Sequence, residues 1–251
     1  AIWKIRRLLD AMGQLQDAFA LKGEEFKDVI KLGRTQLQDA VPMTLGQEFA
    51  AVAITIGEDM ERLREAARLI HEINMGATAI GTGVNTVPGY TDRVRARLIE
   101  ITGLSLITAP NLVEATSDAG AYVQLSGVLK RIAVKLSKVC NDLRLLSSGP
   151  RGGIGEILLP AMQPGSTIMP GKVNPVIPEV VNQVCFEVIG LDVAISMAAQ
   201  AGQLELNAFE PLIGFNISLS MDMLEHAATV LRERCVAGIR ADRDRCRELL
   251  E

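Results

Sequence analysis

The stretch EATSDAGAYVQLSGVLKRIAVKLSKVCNDLRLLSS, residues 114–148, decides the fold that the sequence predicts. It contains no proline, and its apolar residues recur every three or four positions, the spacing that places side chains on one face of an α-helix. The residues of this face are Leu125, Leu129, Ile132, Leu136, Val139, Leu143 and Leu146. We therefore predict one very long helix over the whole segment, with an apolar stripe along its length.

The rest of the chain follows the same pattern. Proline-free stretches alternate with breaks rich in glycine and proline, which typically separate helices. The further predicted helices cover residues 1–32, 45–74, 91–102, 175–203 and 211–238. We interpret the charged stretch GEDMERLREAAR in the second helix as a solvated face. Alternating Val, Ile and Thr are scarce, so few or no strands are expected. The predicted fold is all-α, a long up-and-down helix bundle.

Composition restricts the classes of function and partner. The 251 residues carry a net charge of −4 and no block of basic residues, so neither nucleic acid nor an anionic membrane is the expected partner. No run of 18 uninterrupted apolar residues occurs, so we expect no segment that crosses a membrane. The four cysteines have no CxxC spacing, and no His, Cys, Asp and Glu spacing fits a metal site. The four cysteines are therefore expected to be reduced, as is typical of a cytoplasmic protein.

The segment PGSTIMPGKVNPVIPE, residues 164–179, is the most informative for function. It places Ser166 and Thr167, then Lys172 and Asn174, in a glycine-bounded loop that leads into a helix at Pro175. The free N–H groups of a helix N-terminus and a nearby ammonium favour anionic oxygens. Such a loop could bind a carboxylate and stabilise negative charge on it. The residues alone leave equally open a surface loop with incidental polar groups.

The same segment resembles the GSSxMPxKxN signature of the aspartase/fumarase superfamily, with Thr167 in place of the second serine. Other stretches are similar to the aspartases of that superfamily: GRTQLQDAVPMTLGQE (33–48), GATAIGTGVN (76–85), EATSDAGAYV (114–123), NDLRLLSSGPRGGIGEI (141–157) and NPVIPEVVNQVCFEVIG (174–190). The resemblance covers essentially the whole chain. It implies that residues 1–251 are the central helical-bundle domain, with the N-terminal and C-terminal domains of the full-length enzyme absent.

The resemblance also implies roles for individual residues. Ser166 would be the catalytic base, acting as an alkoxide, and Lys172 and Asn174 would hold the substrate's α-carboxylate. The other matched positions are the substrate-binding residues Thr35, Gln36 and Thr167, the first two contributed from another subunit, and the supporting residue Glu179. Simpler roles stay open for some of them: Lys172 could only hold the loop, Gln36 could be a turn residue, and Glu179 could only favour the first turn of its helix.

The implied activity is the reversible deamination of L-aspartate to fumarate and ammonia. It proceeds by proton abstraction from C3 through an enediolate, in a cytoplasmic homotetramer with active sites shared between subunits. No cofactor is expected, and an activating Mg²⁺ is not readable from the sequence. Two alternatives stay open. One is fumarate hydratase, although the first motif is GRTQ and not the GRTH common in fumarases. The other is an inactive helical oligomerisation core. The chain alone is expected to be inactive, because no motif that binds the β-carboxylate precedes Gly33.

Overall fold

The computed structural model describes residues 1–166 and 168–251. In this part of the chain the helices are α1 (Ile2–Glu25), α2 (Leu45–Leu69), α3 (Tyr90–Thr102), α4 (Glu114–Ser117), α5 (Gly120–Leu146), α6 (Val176–Ala201), α7 (Glu210–Arg234) and α8 (Arg243–Glu248). The strands are β1 (Ile30–Thr35), β2 (Gln38–Thr44), β3 (Glu72–Ile73), β4 (Ile107–Thr108), β5 (Ile157–Leu158) and β6 (Arg240–Ala241). The predicted helix bundle is confirmed, since α1, α2, α5, α6 and α7 form the core.

The five long helices pack in a closed ring. Helix α1 contacts α2 and α7, α5 contacts α2 and α6, and α6 contacts α7. Helices α1 and α2 are antiparallel, because Gly23 near the end of α1 lies beside Ala50 near the start of α2. Helices α1 and α7 are parallel, because Lys22 Nζ donates to the Ile239 carbonyl just beyond α7, at 2.8 Å. All seven residues predicted for the apolar face of α5 are buried.

Helices α1 and α2 meet backbone to backbone at Gly46, in the first turn of α2. A Cβ atom at this position would lie 2.4 Å from the Gly23 carbonyl oxygen and 2.6 Å from Lys27 Cα, closer than real Cβ atoms come. The start of α2 is fixed by a capping box in which Thr44 and Gln47 satisfy each other's backbone amides. Only glycine therefore allows α2 to begin this close to α1.

The first helix is shorter than predicted. It ends at Glu25 and not near residue 32, and residues 30–44 form an antiparallel β-hairpin. The expectation of few or no strands is wrong for this segment, whose two strands span six and seven residues. Ile30 fits the helical spacing in the sequence, but it is 57% exposed, whereas its neighbour Lys31 is buried. The exposed and buried positions therefore alternate as in a strand.

The long helix predicted at residues 114–148 is interrupted. Asp118 has extended backbone angles, φ −75° and ψ 133°, and separates α4 from α5. Its Oδ2 accepts a hydrogen bond from the Gly120 amide at 2.8 Å. A short acidic side chain that binds a nearby amide stabilises a turn in competition with the helix. The spacing of apolar residues contains no information about this hydrogen bond, so it predicted one continuous helix.

The charged stretch in α2 is not wholly a solvated face. Asp59 is 2% exposed, and its carboxylate pairs with two cations of α5. Arg131 Nε lies 2.8 Å from Asp59 Oδ1, and Lys135 Nζ lies 3.1 Å from the same oxygen. The interpretation of this stretch as solvated is therefore wrong at Asp59. The buried carboxylate links α2 to α5, where an isolated buried charge would be costly.

Helix α6 is long and apolar enough to cross a membrane by length and composition alone, although only 28% of its most apolar window is buried. Core helices of globular proteins meet the same criterion. Its buried side carries Asp192, which pairs with Lys130 Nζ of α5 at 2.6 Å. Its exposed side carries large apolar side chains, among them Phe186, Val193 and Met197. The absence of a membrane span stays a prediction.

One end of the bundle gathers the hairpin, the start of α6, the end of α7 and α8, and we call it the hairpin end. Residues 175–178 lie beside Arg234 and Cys235, and α8 contacts β1. The elements β6 and α8, which the sequence analysis did not predict, are too short to give a periodic signal. Residues 70–119 extend from the opposite end. The 27 residues of α5 separate the two ends by about 40 Å, at 1.5 Å per residue.

Replacing Gly46 tests the close contact of α1 and α2. Gly46→Ala is expected to lower the free energy of unfolding by about 1–3 kcal/mol, because the added methyl group meets backbone that cannot move aside. Gly13→Ala in α1 is the matched control. Its Cβ would lie 3.5 Å from Met60 Cε, an ordinary contact. Alanine there should stabilise the helix by about 0.5–1 kcal/mol. Urea unfolding of both variants measures the difference, and equal stabilities would contradict the assigned contact.

Candidate active site

The loop that carries the predicted base is closed on itself. The Ser166 amide donates to the Lys172 carbonyl at 3.1 Å, and the Lys172 amide donates to the Met169 carbonyl at 3.1 Å. Ser166 Oγ accepts hydrogen bonds from the amides of Ile168 at 3.3 Å and Met169 at 3.2 Å. Two backbone donors therefore point at the hydroxyl oxygen. Thr167, predicted to contact substrate, lies outside the described residues.

The two other predicted groups of this loop lie between Ser166 and α6. Lys172 is exposed and Asn174 is half-buried. The Asn174 carbonyl accepts from the Val176 amide at 2.9 Å, where α6 begins. An exposed ammonium, an amide side chain and a helix N-terminus thus follow one another along the chain, and all three favour an anionic group.

Glu179 lies in the first turn of α6 and is half-buried. Its Oε1 lies 3.9 Å from Nη2 of Arg144 on α5, so its nearest cation is an arginine. The histidines make other contacts: Nδ1 of His71 lies 2.9 Å from the Ala67 carbonyl, and Nδ1 of His226 lies 2.7 Å from a carbonyl of its own helix. Among the residues that the structure describes, Glu179 therefore forms no pair with a histidine.

Thr35 and Gln36 lie at the tip of the hairpin. Thr35 pairs with Gln38 across a two-residue turn, in which Gln36 has a φ of 53° and Leu37 a φ of 63°. Two consecutive positive φ angles are typical of the tight turns that suit a β-hairpin, but they are uncommon for residues other than glycine, asparagine and aspartate. Both predicted residues are exposed. The turn therefore presents Thr35 and Gln36 to solvent at the hairpin end.

The sequence analysis missed Glu156, which lies just before β5. This carboxylate is 0% exposed and lies 2.8 Å from Arg34 Nη1 and 2.9 Å from Lys31 Nζ, both on β1. Lys31 Nζ also lies 2.8 Å from Glu48 Oε2. In the sequence, Glu156 stands out as a single acidic residue between Gly155 and a run of apolar residues, and this was the available indication that it is buried. The ion pairs connect the hairpin to the segment from which the Ser166 loop departs.

Most of the predicted site residues fall into two groups within one chain. Among the described residues, no hydrogen bond or ion pair joins Thr35 or Gln36 to Ser166, Lys172 or Asn174, although both groups lie at the hairpin end. The stretch 76–85, similar to an aspartase motif, lies at the opposite end of the bundle. A site that used all of these stretches would need residues from more than one chain.

The cysteines are buried, unpaired and unsuited to chemistry. All four are free. Burial raises the pKa of Cys140 far above its usual value, the pKa values of Cys185 and Cys235 to about 12, and that of Cys246 to about 11. Within the residues described, no three His, Cys, Asp or Glu side chains are grouped so that they could hold a metal ion.

The bundle and its polar loop match a known family. The family model described as "Lyase" matches residues 2–190, and the chain belongs to this family. It is 62% identical over 245 residues to a protein of Pseudomonas fluorescens named aspartate ammonia-lyase, covering 97% of this chain and 51% of that protein. The chain therefore spans about half the length of this relative.

Two solved structures share the fold. A fumarate lyase:delta crystallin from Brucella melitensis bound to cobalt superimposes with a TM-score of 0.98 at 59% identity, covering 100% of this chain and 54% of that one. A class II fumarase from Schistosoma mansoni gives a TM-score of 0.94 at 35% identity, covering 97% of this chain and 54% of that one. The resemblance to the aspartase/fumarase superfamily is confirmed.

The thiol environments predict chemical inertness of the folded chain. Because their pKa values are raised, the buried thiols stay protonated at pH 8, and only the thiolate is a good nucleophile. Ellman's reagent at pH 8 is expected to modify none of the four cysteines of the folded chain over several minutes, and all four in guanidinium chloride. Rapid labelling without denaturant would show that a cysteine is accessible and contradict the structure.

Proposed function

We propose that this chain is the central part of an aspartate ammonia-lyase, which converts L-aspartate reversibly to fumarate and ammonia. The observation that carries the proposal is the Ser166 loop. It directs two backbone amides at one hydroxyl oxygen, beside an exposed lysine and a helix N-terminus. The names of the relatives at 56–62% identity support aspartate as the substrate.

The chemistry begins with Ser166 as a base. A serine hydroxyl is a weak base at neutral pH unless its anion is strongly stabilised. The amides of Ile168 and Met169 are preorganised donors for an alkoxide, and their distances of 3.3 and 3.2 Å leave room for contraction as charge develops. The Lys172 ammonium adds a positive field. Ser166 is proposed to act in this deprotonated form.

The alkoxide takes a proton from C3 of L-aspartate, and the electrons of the C–H bond move into the adjacent β-carboxylate to give an enediolate. These electrons then form the C2–C3 double bond as the C2–N bond breaks, and the protonated amino group leaves as ammonia with the electrons of that bond. Lys172 and Asn174 hold the α-carboxylate, with Thr35 and Gln36 as further substrate contacts. Thr167 is proposed as a substrate contact, and Glu179, through Arg144, as support for the start of α6.

Fumarate hydratase is the second candidate, because the fumarase structure matches at a TM-score of 0.94. Fumarases commonly have a histidine where this chain has Gln36. In this chain His226 contacts a carbonyl of its own helix, and His71, just after α2, contacts the Ala67 carbonyl of that helix. Identity is also lower for the fumarase, 35% against 62%. These observations favour the ammonia-lyase.

Assembly into a homotetramer with shared sites is proposed from the exposed apolar surface. Phe186 is 59% exposed, Val193 58% and Met197 60%, all on α6. Exposed apolar surface of this kind on a long helix marks an interaction surface. A second copy of the chain is the proposed partner, and not a membrane or a nucleic acid. Free cysteines in the core are typical of reducing compartments, which supports a cytoplasmic location.

The reaction class is tested on the full-length polypeptide that contains these residues. L-aspartate is expected to give fumarate, measured by its absorbance, and ammonia, without an added cofactor. The 251-residue chain assayed alone is expected to be inactive, because the proposed division of the site leaves the β-carboxylate without its binding groups. Conversion of fumarate to malate with no reaction of ammonia would replace this proposal by the fumarase alternative.

Replacing Ser166 tests the proposed base. Ser166→Ala in the full-length enzyme is expected to lower kcat by at least about 10²-fold, the lower range for loss of a general base. The circular dichroism spectrum should be unchanged, since the residue lies in a loop. Ser148→Ala is the matched control, because its hydroxyl accepts from the Ile154 amide at 3.0 Å outside the proposed site. Near-normal turnover of Ser166→Ala would exclude this residue as the base.

The assembly is tested by light scattering. Light scattering is expected to give a particle mass four times the 27.1 kDa of one chain. Phe186→Asp is expected to lower this mass, because a charge buried in an apolar interface is costly. Leu21→Asp is the control, since Leu21 is exposed on α1, away from the apolar face of α6. A stable monomer at micromolar concentration would contradict the tetramer.

A further inference from the structure

We propose that Glu156 is a positioning residue, which holds the turn Thr35–Gln36 in its active arrangement through Arg34 and Lys31. The inference rests on the proposed function, in which Thr35 and Gln36 contact the substrate. Glu156 itself lies behind the turn and has no exposed surface, so it acts through the hairpin and not on the substrate.

The charged groups around Glu156 balance one another. Lys31 has a side chain 3% exposed and Arg34 one 16% exposed, and both lie within 2.9 Å of the Glu156 carboxylate. Glu48, at 2.8 Å from Lys31 Nζ, supplies a second carboxylate, so two cations face two anions. Removing one charge from such a buried set leaves its partners uncompensated. The hairpin therefore cannot move away from Glu156 without exposing or isolating a charge.

A β-bulge lies beside this double attachment. Lys31 and Arg34 are three apart on β1, so in a flat strand they would point to opposite faces of the sheet. The pairing with β2 shifts at this point, because Ala40 and Val41 of β2 together lie opposite Gly33. Such a bulge bends the bulged strand and increases the local twist of the pair, between the two residues whose long side chains reach the same carboxylate. A Cβ at Gly33 would lie 2.7 Å from the Val41 carbonyl oxygen, so glycine suits the close approach at this bulge.

The attachment is adjacent to a strained turn. Arg34 precedes Thr35 directly, and Gln36 and Leu37 hold φ angles of 53° and 63°. Non-glycine residues keep such angles only where the surrounding structure fixes them, and such sites are often functional. The turn itself is exposed and therefore has little packing of its own. Beyond the Thr35–Gln38 pairing, the Arg34–Glu156 ion pair is, among the described residues, the ion pair that lies nearest to the turn along the chain.

Glu156 is itself held from the opposite side. The Asp242 amide donates to the Glu156 carbonyl at 2.9 Å, and Arg245 Nε donates to the Ile154 carbonyl at 2.9 Å. The strand pair β5–β6 continues this attachment. The backbone that carries the Glu156 carboxylate is thus held in place by contacts with α8 and β6. The carboxylate therefore has a fixed position against which the hairpin packs.

The experiment compares Glu156→Gln with Asp59→Asn in the full-length enzyme. Asp59 is a matched control, a buried carboxylate with two cations in the middle of the bundle. Both changes should lower the melting temperature. Glu156→Gln alone should lower kcat/KM for L-aspartate by about tenfold to a hundredfold, as displaced substrate-contacting groups do. Glu156→Asp should recover part of this loss. Equal catalytic losses in Glu156→Gln and Asp59→Asn would overturn the proposal.

A double-mutant cycle shows whether Glu156 acts through the turn. In a Gln36→Ala background, Glu156→Gln should cost under about threefold in kcat/KM, because the contact that it positions is already gone; full additivity would overturn the proposal. If Glu156→Gln does not fold, Arg34→Lys replaces it in the same cycle. The expected results are again a loss of about tenfold alone and little further loss with Gln36→Ala.

Hydrogen exchange separates this inference from the proposed function. Amides of residues 30–44 should exchange faster in Glu156→Gln than in the parent or in Asp59→Asn, whatever the substrate is. If the enzyme does not react with L-aspartate but Glu156→Gln speeds exchange in the hairpin, the proposed function is contradicted and the positioning role of Glu156 is supported. If the enzyme deaminates L-aspartate but Glu156→Gln leaves hairpin exchange unchanged, the proposed function is supported and the positioning role is overturned.

Discussion

The backbone contact between α1 and α2 at Gly46 is the constraint on which the hairpin end depends. Because Gly46 lies against the Gly23 carbonyl and Lys27, the connection between the helices cannot run straight and must leave the bundle and return. The β-hairpin is that connection. Its base is fixed by the capping box of Thr44, and its strands are fixed by ion pairs to Glu156. The position of Thr35 and Gln36 therefore follows from how closely two helices approach each other.

Periodicity predicted the parts of the fold that are long. All seven residues of the predicted α5 face are buried, and the five long helices occur in predicted helical stretches, with proline only in the first turns of α6 and α7. It failed where a local interaction competes with the helix. Asp118 binds the Gly120 amide and ends α4, and the strand after Glu25 buries Lys31 and exposes Ile30, which fits the helical spacing. Such effects depend on one hydrogen bond or ion pair, which a pattern over many residues averages away.

The candidate site was predicted through the signature loop and the family resemblance. The loop geometry shows what the sequence could not, namely that Ser166 Oγ accepts hydrogen bonds from two backbone amides. Glu156 was missed because its partners Lys31 and Arg34 are more than 120 residues away in sequence. No short spacing contains that information. The stretches at residues 33–48 and 164–179 lie at the hairpin end and the stretch 76–85 at the opposite end of the bundle, which is why the sequence motifs alone do not define one site.

The bulge opposite Gly33, where β2 has one residue more than β1, has a consequence for how this segment can vary. The faces of a strand alternate with every residue, so the number of residues between Lys31 and Arg34 sets the direction of the Arg34 side chain. Deleting or inserting a single residue here would reverse the parity of the strand and turn Arg34 away from Glu156. A substitution changes one contact, whereas a one-residue change in length would exchange the two faces of the hairpin. The segment should therefore tolerate new side chains more readily than a new length.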